Sequence, residues 1–441
     1  MKPVPSPAAH RGRHPRPAGR LLVAVLASNM LVDALEVSSA LVALPSVAAG
    51  LGLPPGQAQG LVTGFAAGFA AVLPFATAVT SRFGRRRVYL AALLGFAAAS
   101  LAGAFADGAG TLFAGRMLKG ACVALTAPTG LAIITSVLPD GPARRRALSV
   151  YSLCGGLGFC AGLLVSGLLT PAGWRWTLAF PAPVALLLLA AGAVLIPREA
   201  AGPAPPVPRG LPGHPLQGQH PLPGHRPLLR HRPLLRAAAV AAAFNGSYVA
   251  FLLLAAVDLA RHGWGPTATA LAFLPAAAPL ALAAPAALRL AVRLGPARAV
   301  ALGAAAAPAG HLLYPSAGGT VRYATEVLPA MALAGAAFAL AFTALHLEAT
   351  AEVPGPLRER ASAFYQTCVQ LGGAAVPALA AGAGRAAGFR LVTAVALAGA
   401  LAALTAPALW RRAARHRDHS TAHGRGSARA AHLPAPNRET P

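Results

Sequence analysis

Apolar stretches of about twenty residues recur along the whole chain, each closed by a polar, basic or Gly/Pro-rich break. At 1.5 Å per residue, such a stretch wound as a helix crosses a hydrocarbon core of about 30 Å. The pattern predicts about twelve spans, at approximately 21–44, 58–80, 88–106, 111–136, 147–170, 175–196, 236–258, 267–288, 297–314, 325–347, 361–383 and 389–410. Glycine and proline interrupt the ninth and eleventh, which makes these the weakest elements of the series. The predicted fold class is therefore an all-α polytopic membrane protein with two six-helix pseudo-repeat bundles.

The breaks differ in length, and that difference divides the chain. Residues 1–20 form a basic N-terminal segment, 21–196 a first six-helix bundle and 237–410 a second, with a basic tail at 411–441. Between the bundles, 197–236 is rich in Pro and Gly and carries a tandem HRPLLR at His225–Arg230 and His231–Arg236. Such composition builds no packed core and predicts a mobile linker whose Leu-Leu and Arg repeats rest on an anionic leaflet. Six spans, a long linker and six spans is the layout of a two-fold pseudo-repeat transporter.

Composition agrees: 56% of the 441 residues are hydrophobic and 11% charged, against about 25% charged in soluble proteins. The net charge of +25 would suggest nucleic acid if it were spread over a soluble surface, but it is clustered. The basic groups fall at Lys2–Arg20, Arg82–Arg87, Arg144–Arg146, Arg198–Arg236, Arg289–Arg298, Arg358–Arg360 and beyond Arg411. They alternate with nearly neutral connections, which predicts a multi-pass cell-membrane protein with both termini and the linker in the cytoplasm. The lipid bilayer is then the surrounding partner, and nucleic acid is excluded. Four cysteines lie in apolar runs without metal-ligand spacing and read as packing residues.

Polar positions inside the spans narrow the chemistry. From Leu21 to Leu44 the only ionisable side chains are Asp33 and Glu36. At about 100° per residue, Asn29, Asp33, Glu36 and Ala40 form one stripe, a polar seam on an otherwise apolar helix. Ionisable groups at that depth face a protein interior or a water-filled cavity. Arg116 and Lys119 stand inside the fourth span. Glu36 lies roughly 22 Å along the first span, and Arg116 roughly 8 Å along a fourth span running the other way, so their depths coincide. The match predicts two pairs, Glu36 with Arg116 and Asp33 with Lys119. Two readings stay open for this tetrad, a static neutral cluster and a proton-exchange or substrate-sensing site.

Other polar groups say less. Asn245 in the seventh span is either a cavity group, as Asn29 is, or a hydrogen-bonding tie between helices. Asp107, Asp258 and Glu326 are expected at solvated outer ends, and Glu348 and Glu352 beside Arg358 and Arg360 at the inner face. His311 and His346 are expected to be packed.

Several short motifs occur in order: TAVTSRFGRRRVYL at Thr77–Leu90, LFAGRMLKGACVAL around Arg116, and GGLGFCAGLLVSGLL with Gly158 and Gly162. Glycines four apart permit close approach of helices. As a set, from about residue 21 to 410, these resemble the drug:proton antiporters of the major facilitator superfamily, most of all the branch that usually has fourteen helices. LEVSSALVALP at Leu35–Pro45 sits on that branch's first-helix signature, with Glu36 where the family has Asp. Arg82, Gly84, Arg85, Arg86 and Arg87 match motif A, the gating loop. Arg116 and Gly120 match motif B, and Gly158, Gly162 and Gly167 match motif C. The resemblance implies that the first and fourth helices line a central cavity. It departs from the family at Ser81 (usually Asp), Leu163 (usually Pro), Lys119 (usually Gln) and in a helix count of twelve.

The function expected from these observations is secondary active transport by alternating access. It would be proton-coupled efflux of a small, largely apolar organic compound, with Glu36 as the acid that takes the proton. Uptake or facilitated movement of a metabolite, favoured by the Leu163 substitution, is the alternative within transport; a transport-inactive receptor or scaffold is the alternative of another class. No catalytic constellation and no GxxxxGK[ST] loop occurs, so neither an enzyme nor a cofactor is expected. The expected partners are the organic substrate and protons, and the expected state is a monomer.

Overall fold

The computed structural model describes residues 17–138, 141–198, 228, 231–282, 289–290, 293–294, 296–314, 321–351, 353 and 357–405. Among them the chain folds into long helices. The first bundle comprises α1 (Pro17–Gly50), α2 (Gly60–Phe83), α3 (Arg85–Ala104), α4 (Ala109–Val137), α5 (Pro142–Leu169) and α6 (Trp174–Leu195). The second comprises α7 (Arg232–Arg261), α8 (Pro266–Leu282), α9 (Pro296–Leu313), α10 (Leu328–Ala351), α11 (Arg358–Gly382) and α12 (Arg385–Thr405). Each coincides with a span that the hydrophobic pattern predicts. Among the described residues nine helices are long and apolar enough to cross a membrane. α8 is apolar but shorter, and α9 and α11, the two spans interrupted by glycine and proline, are not among the nine.

The helices reach past the predicted limits at several ends. α7 begins at Arg232, so the second HRPLLR copy opens a helix, with Leu235 N–H donating to the His231 carbonyl. Most of the predicted linker, the basic N-terminal segment up to residue 16 and the basic tail lie outside the described residues.

Helix pairing repeats between the halves. α1 packs on α5 as α7 packs on α11, and α2 on α4 as α8 on α10; the bundles meet through α5 with α8 and α2 with α11. Adding six to each helix number converts one set into the other, which is the two-fold pseudo-repeat expressed as packing. Glycines set the closest approaches. A Cβ on Gly158 would strike the Leu31 carbonyl, and one on Gly162 the Leu35 carbonyl and the Ser38 hydroxyl, so α5 lies backbone to backbone against α1. Gly167, the third glycine of that motif, faces Thr267 and Ala270 of α8 instead, and Thr267 Oγ1 donates to its carbonyl at 2.7 Å.

The apolar cores show where the bundles are joined. At the end away from the arginine loops, one cluster runs through both halves, with Leu41, Leu44, Leu61 and Leu163 alongside Phe251, Leu253, Phe273 and Met331. At the basic end, among the described residues, each bundle has a separate cluster, one around Leu26, Tyr89 and Phe96 and one around Phe244, Leu345 and Tyr365. Outward faces carry large apolar side chains such as Leu168, Leu187, Val194 and Leu401, as lipid-facing helices require.

Because Gly162 has no room for a side chain, Gly162→Leu should cost at least the 1–3 kcal/mol typical of overpacking. Folded, monodisperse yield should fall severely, whereas Leu164→Ala on the exposed face should leave it near wild type. Size-exclusion profiles of the two variants check this, and equal tolerance would overturn the packing assignment.

Candidate functional site: a buried ion cluster on α1 and α4

The first and fourth helices bring the four charged residues of the seam together, each at 4% exposure or less. The close approach that makes this possible is between α2 and α4. A Cβ on Gly120 would meet the Phe65 carbonyl, and one on Gly68 the Met117 carbonyl, so only glycine allows the two backbones to touch. With α2 this near, Arg116 Nε donates to the Leu61 carbonyl at 2.6 Å. Its Nη1 donates to Glu36 Oε1, and its Nη2 to the Glu36 carbonyl at 3.3 Å. The guanidinium lies 5.1 Å from the Phe65 ring centroid. Arg116 thus ties three helices with one planar fork, a task that suits guanidinium better than ammonium.

Lys119 goes to the same acid. Its Nζ stands 2.7 Å from Glu36 Oε1 and 5.2 Å from the Phe96 ring centroid, an ion pair without an aligned hydrogen bond. Of the two pairs the depth match predicts, Glu36 with Arg116 is present, but Asp33 with Lys119 is not. The flexible Lys119 stem turns toward the end of the helix where Glu36 and Arg116 already lie. Asp33 is left to neutral partners, accepting from Asn29 Nδ2 and Thr126 Oγ1, both at 3.1 Å. Asn29 is thereby committed to Asp33, one turn away on α1. Thr126 escaped the sequence reading, although it lies seven residues after Lys119 and so on the same helical face.

Glu36 Oε2 and the Tyr89 and Thr129 hydroxyls are buried without a hydrogen-bond partner. Groups of this kind normally find a partner, water included.

The remaining predicted positions fall as follows. Gly84 makes the turn from α2 to α3 with φ of 84°, a backbone that favours glycine. Arg86 caps α6, with Nε donating to the Ile196 carbonyl at 3.0 Å and Nη2 to the Ala193 carbonyl at 2.6 Å. A cation at a helix C-terminus is favourable on both hydrogen-bond and dipole grounds. Arg82, Arg85 and Arg87 are exposed around it. Ser81 Oγ bonds within its own helix, to the Ala78 carbonyl at 2.9 Å. Asn245 is a tie: its Nδ2 donates to the Val369 carbonyl of α11 at 2.9 Å. His311 is packed against Phe251, as expected, with ring centroids 4.6 Å apart.

Asp258 corrects the expectation of a solvated outer acid. It is 1% exposed and receives Arg385 Nε at 2.5 Å, Arg385 Nη2 at 3.1 Å and the Tyr314 hydroxyl at 3.2 Å. The three residues join the ends of α7, α9 and α12. Arg385 is far away in sequence and follows a Gly384 turn, so neither spacing nor periodicity signals the pair.

Two pseudo-repeat helix bundles, with a charged seam buried inside the first, are the architecture of a polytopic membrane protein. The chain belongs to the Major Facilitator Superfamily, whose sequence profile matches residues 26–377. Among similar proteins, the puromycin resistance protein pur8 of Streptomyces alboniger is 41% identical over 198 residues, 45% of this chain and 39% of that protein. The cephamycin export protein CmcT of Amycolatopsis lactamdurans is 34% identical, covering 40% of this chain and 37% of the relative. The multidrug efflux pump LfrA of Mycolicibacterium smegmatis is 32% identical, covering 40% and 35%. The chain therefore aligns with well under half the length of these relatives. A crystal structure of a mutant of the nucleoside transporter NupG superposes with a TM-score of 0.70 over 88% of this chain and 99% of that one. At 12% identity this is a likeness of fold.

Removing one partner of a buried ion pair typically costs 3–5 kcal/mol, because the other charge stays buried. Arg116→Ala also orphans the Leu61 carbonyl, so it should be the most destabilising single substitution in the seam. Arg116→Lys should recover little, since an ammonium cannot span both carbonyls and the carboxylate. Thermal unfolding in detergent checks the order; an Arg116→Ala protein as stable as wild type would overturn the assignment.

Proposed function

We propose that this protein is a proton-coupled exporter of small, largely apolar organic compounds and that it works by alternating access. The observation that carries the reading is the seam itself: two acids and two cations held in the middle of α1 and α4, where burying charge is costly unless it is used or paired. Similar proteins, among them a puromycin resistance protein and a cephamycin export protein, favour efflux over uptake. The arginine clusters support an orientation with the basic end, both termini and the linker in the cytoplasm. On that orientation the cluster joining both bundles closes the outer end, and the basic end is the side from which an exporter would collect its cargo.

Transport then alternates between this arrangement and one in which the α5–α8 and α2–α11 contacts part at the outer end and close at the basic end. The glycine-smooth α1–α5 contact keeps the first bundle rigid while it rocks. A proton taken up at the seam changes its charge and biases which end is closed.

Reconstituted vesicles with an imposed pH gradient and clamped membrane potential test the reading. The panel includes puromycin, a cephamycin and cationic dyes. Exchange of one proton per substrate should concentrate a neutral compound up to about tenfold per pH unit. The double variant Asp33→Asn/Glu36→Gln should abolish gradient-driven accumulation. A wild-type protein that only equilibrates every compound, whatever the gradient, would overturn proton coupling.

A further inference from the structure

The two acids of the seam stand three residues apart on one helix, yet their surroundings differ in kind. Glu36 gives a single oxygen to both buried cations. Asp33, one turn nearer the basic end, has no cation within ion-pairing distance among the described residues. Its hydrogen-bond donors are an amide and a hydroxyl.

The groups that face Asp33 come from every neighbouring helix. Glu36 lies on its own helix, Cys122 on α4, Tyr89 on α3 and Tyr151 on α5. The Tyr151 hydroxyl is committed to the Ala127 carbonyl at 2.8 Å, and the Tyr89 hydroxyl is buried without a partner. Both cations pair with Glu36, and among the described residues the hydrogen-bond donors to Asp33 are uncharged.

Charge accounting separates the acids further. With all four groups ionised the seam sums to zero. A proton on either acid brings it to +1, but the two cases are not equivalent. On Glu36, the proton leaves two adjacent cations without the carboxylate that offsets their repulsion. On Asp33, the contact cluster of Glu36, Arg116 and Lys119 survives intact. The Asp33 partners also suit both states. Thr126 Oγ1 donates to the carboxylate and, by rotating its hydroxyl, accepts from a carboxylic acid, while Asn29 Nδ2 donates to either.

We propose that Asp33 is the group that takes up and releases the exchanged proton, and that Glu36 stays ionised as the fixed counter-ion of Arg116 and Lys119. The assignment rests on the reading of the protein as a proton-coupled exporter, and it reverses the expectation from sequence, which gives the proton to Glu36. In each cycle a proton from water on one side forms an O–H bond on the Asp33 carboxyl. That bond breaks to water on the other side after the bundles have rocked; no other bond changes. Lys119 is the residue that makes the division of labour possible, because it adds the second cation to Glu36.

Infrared difference spectroscopy on the purified full-length protein tests this without requiring transport. Lowering the pH should raise one buried carboxylic C=O band in the wild type. Asp33→Asn should remove it completely, and Glu36→Gln should retain it. Where Asp33→Asn does not fold, Asp33→Glu should move the band in frequency while Glu36→Asp leaves it in place. A band that survives Asp33→Asn, one that disappears in Glu36→Gln, or no titrating band in the wild type would overturn the assignment. An Asp33-dependent band in a protein that fails the vesicle test would overturn the exporter reading and leave the protonation site standing.

Discussion

One carboxylate shared by two buried cations is the constraint around which the first bundle is arranged. Arg116 and Lys119 at 2% exposure and Glu36 at 1% are each costly to bury as charges without the others. To bring them together, α4 must lie against α1 at one depth and against α2 at contact distance. Gly68 and Gly120 supply the second condition, and Leu61, Phe65 and Phe96 complete the walls. The Gly158 and Gly162 contacts then fix α5 on the far side of α1. The helix geometry of the bundle and the electrostatics of the seam are one problem solved together.

The halves share a packing scheme but not a charge scheme. α7, the counterpart of α1, carries Asn245 at its centre as a neutral tie to α11, and its acid, Asp258, sits at the end of the helix with Arg385 and Tyr314. That second ion pair joins the ends of three helices of one bundle, so it stiffens the bundle without crossing the interface. Titratable chemistry at mid-depth is concentrated in the first half, while the second half supplies an aromatic-lined wall from Tyr248, Phe338 and Phe342.

Much of the fold is legible in the sequence because membrane burial is a strong, local signal. Runs of about twenty apolar residues between polar breaks are enough to set the number and order of the helices among the described residues. The seam is legible for the same reason: Asp33, Glu36, Arg116 and Lys119 stand out against an apolar background. Their pairing is not, since depth matching treats helices as parallel rods and side chains as rigid. The long Lys119 stem reaches past its own level to Glu36, and Asp33 finds Thr126, a residue too common in helices to announce itself. Asp258 is misjudged because nearness to a helix end suggests water, whereas a distant arginine and a tyrosine cover it. Gly167 matches a motif associated with one helix contact and makes another, with α8, because it lies a turn beyond the α1 crossing.

The central claim is that Glu36 is the single counter-ion of two cations, and a double-mutant cycle tests it most directly. Thermal or denaturant unfolding would be measured for Glu36→Gln, Lys119→Gln and the pair together. Glu36→Gln alone leaves two buried cations face to face; removing Lys119 as well leaves only Arg116 to be accommodated. The account predicts that the double variant is more stable than Glu36→Gln, with an interaction energy of about 1–3 kcal/mol between the two positions. Losses that add to within about 0.5 kcal/mol would show the two side chains to be independent and would contradict it.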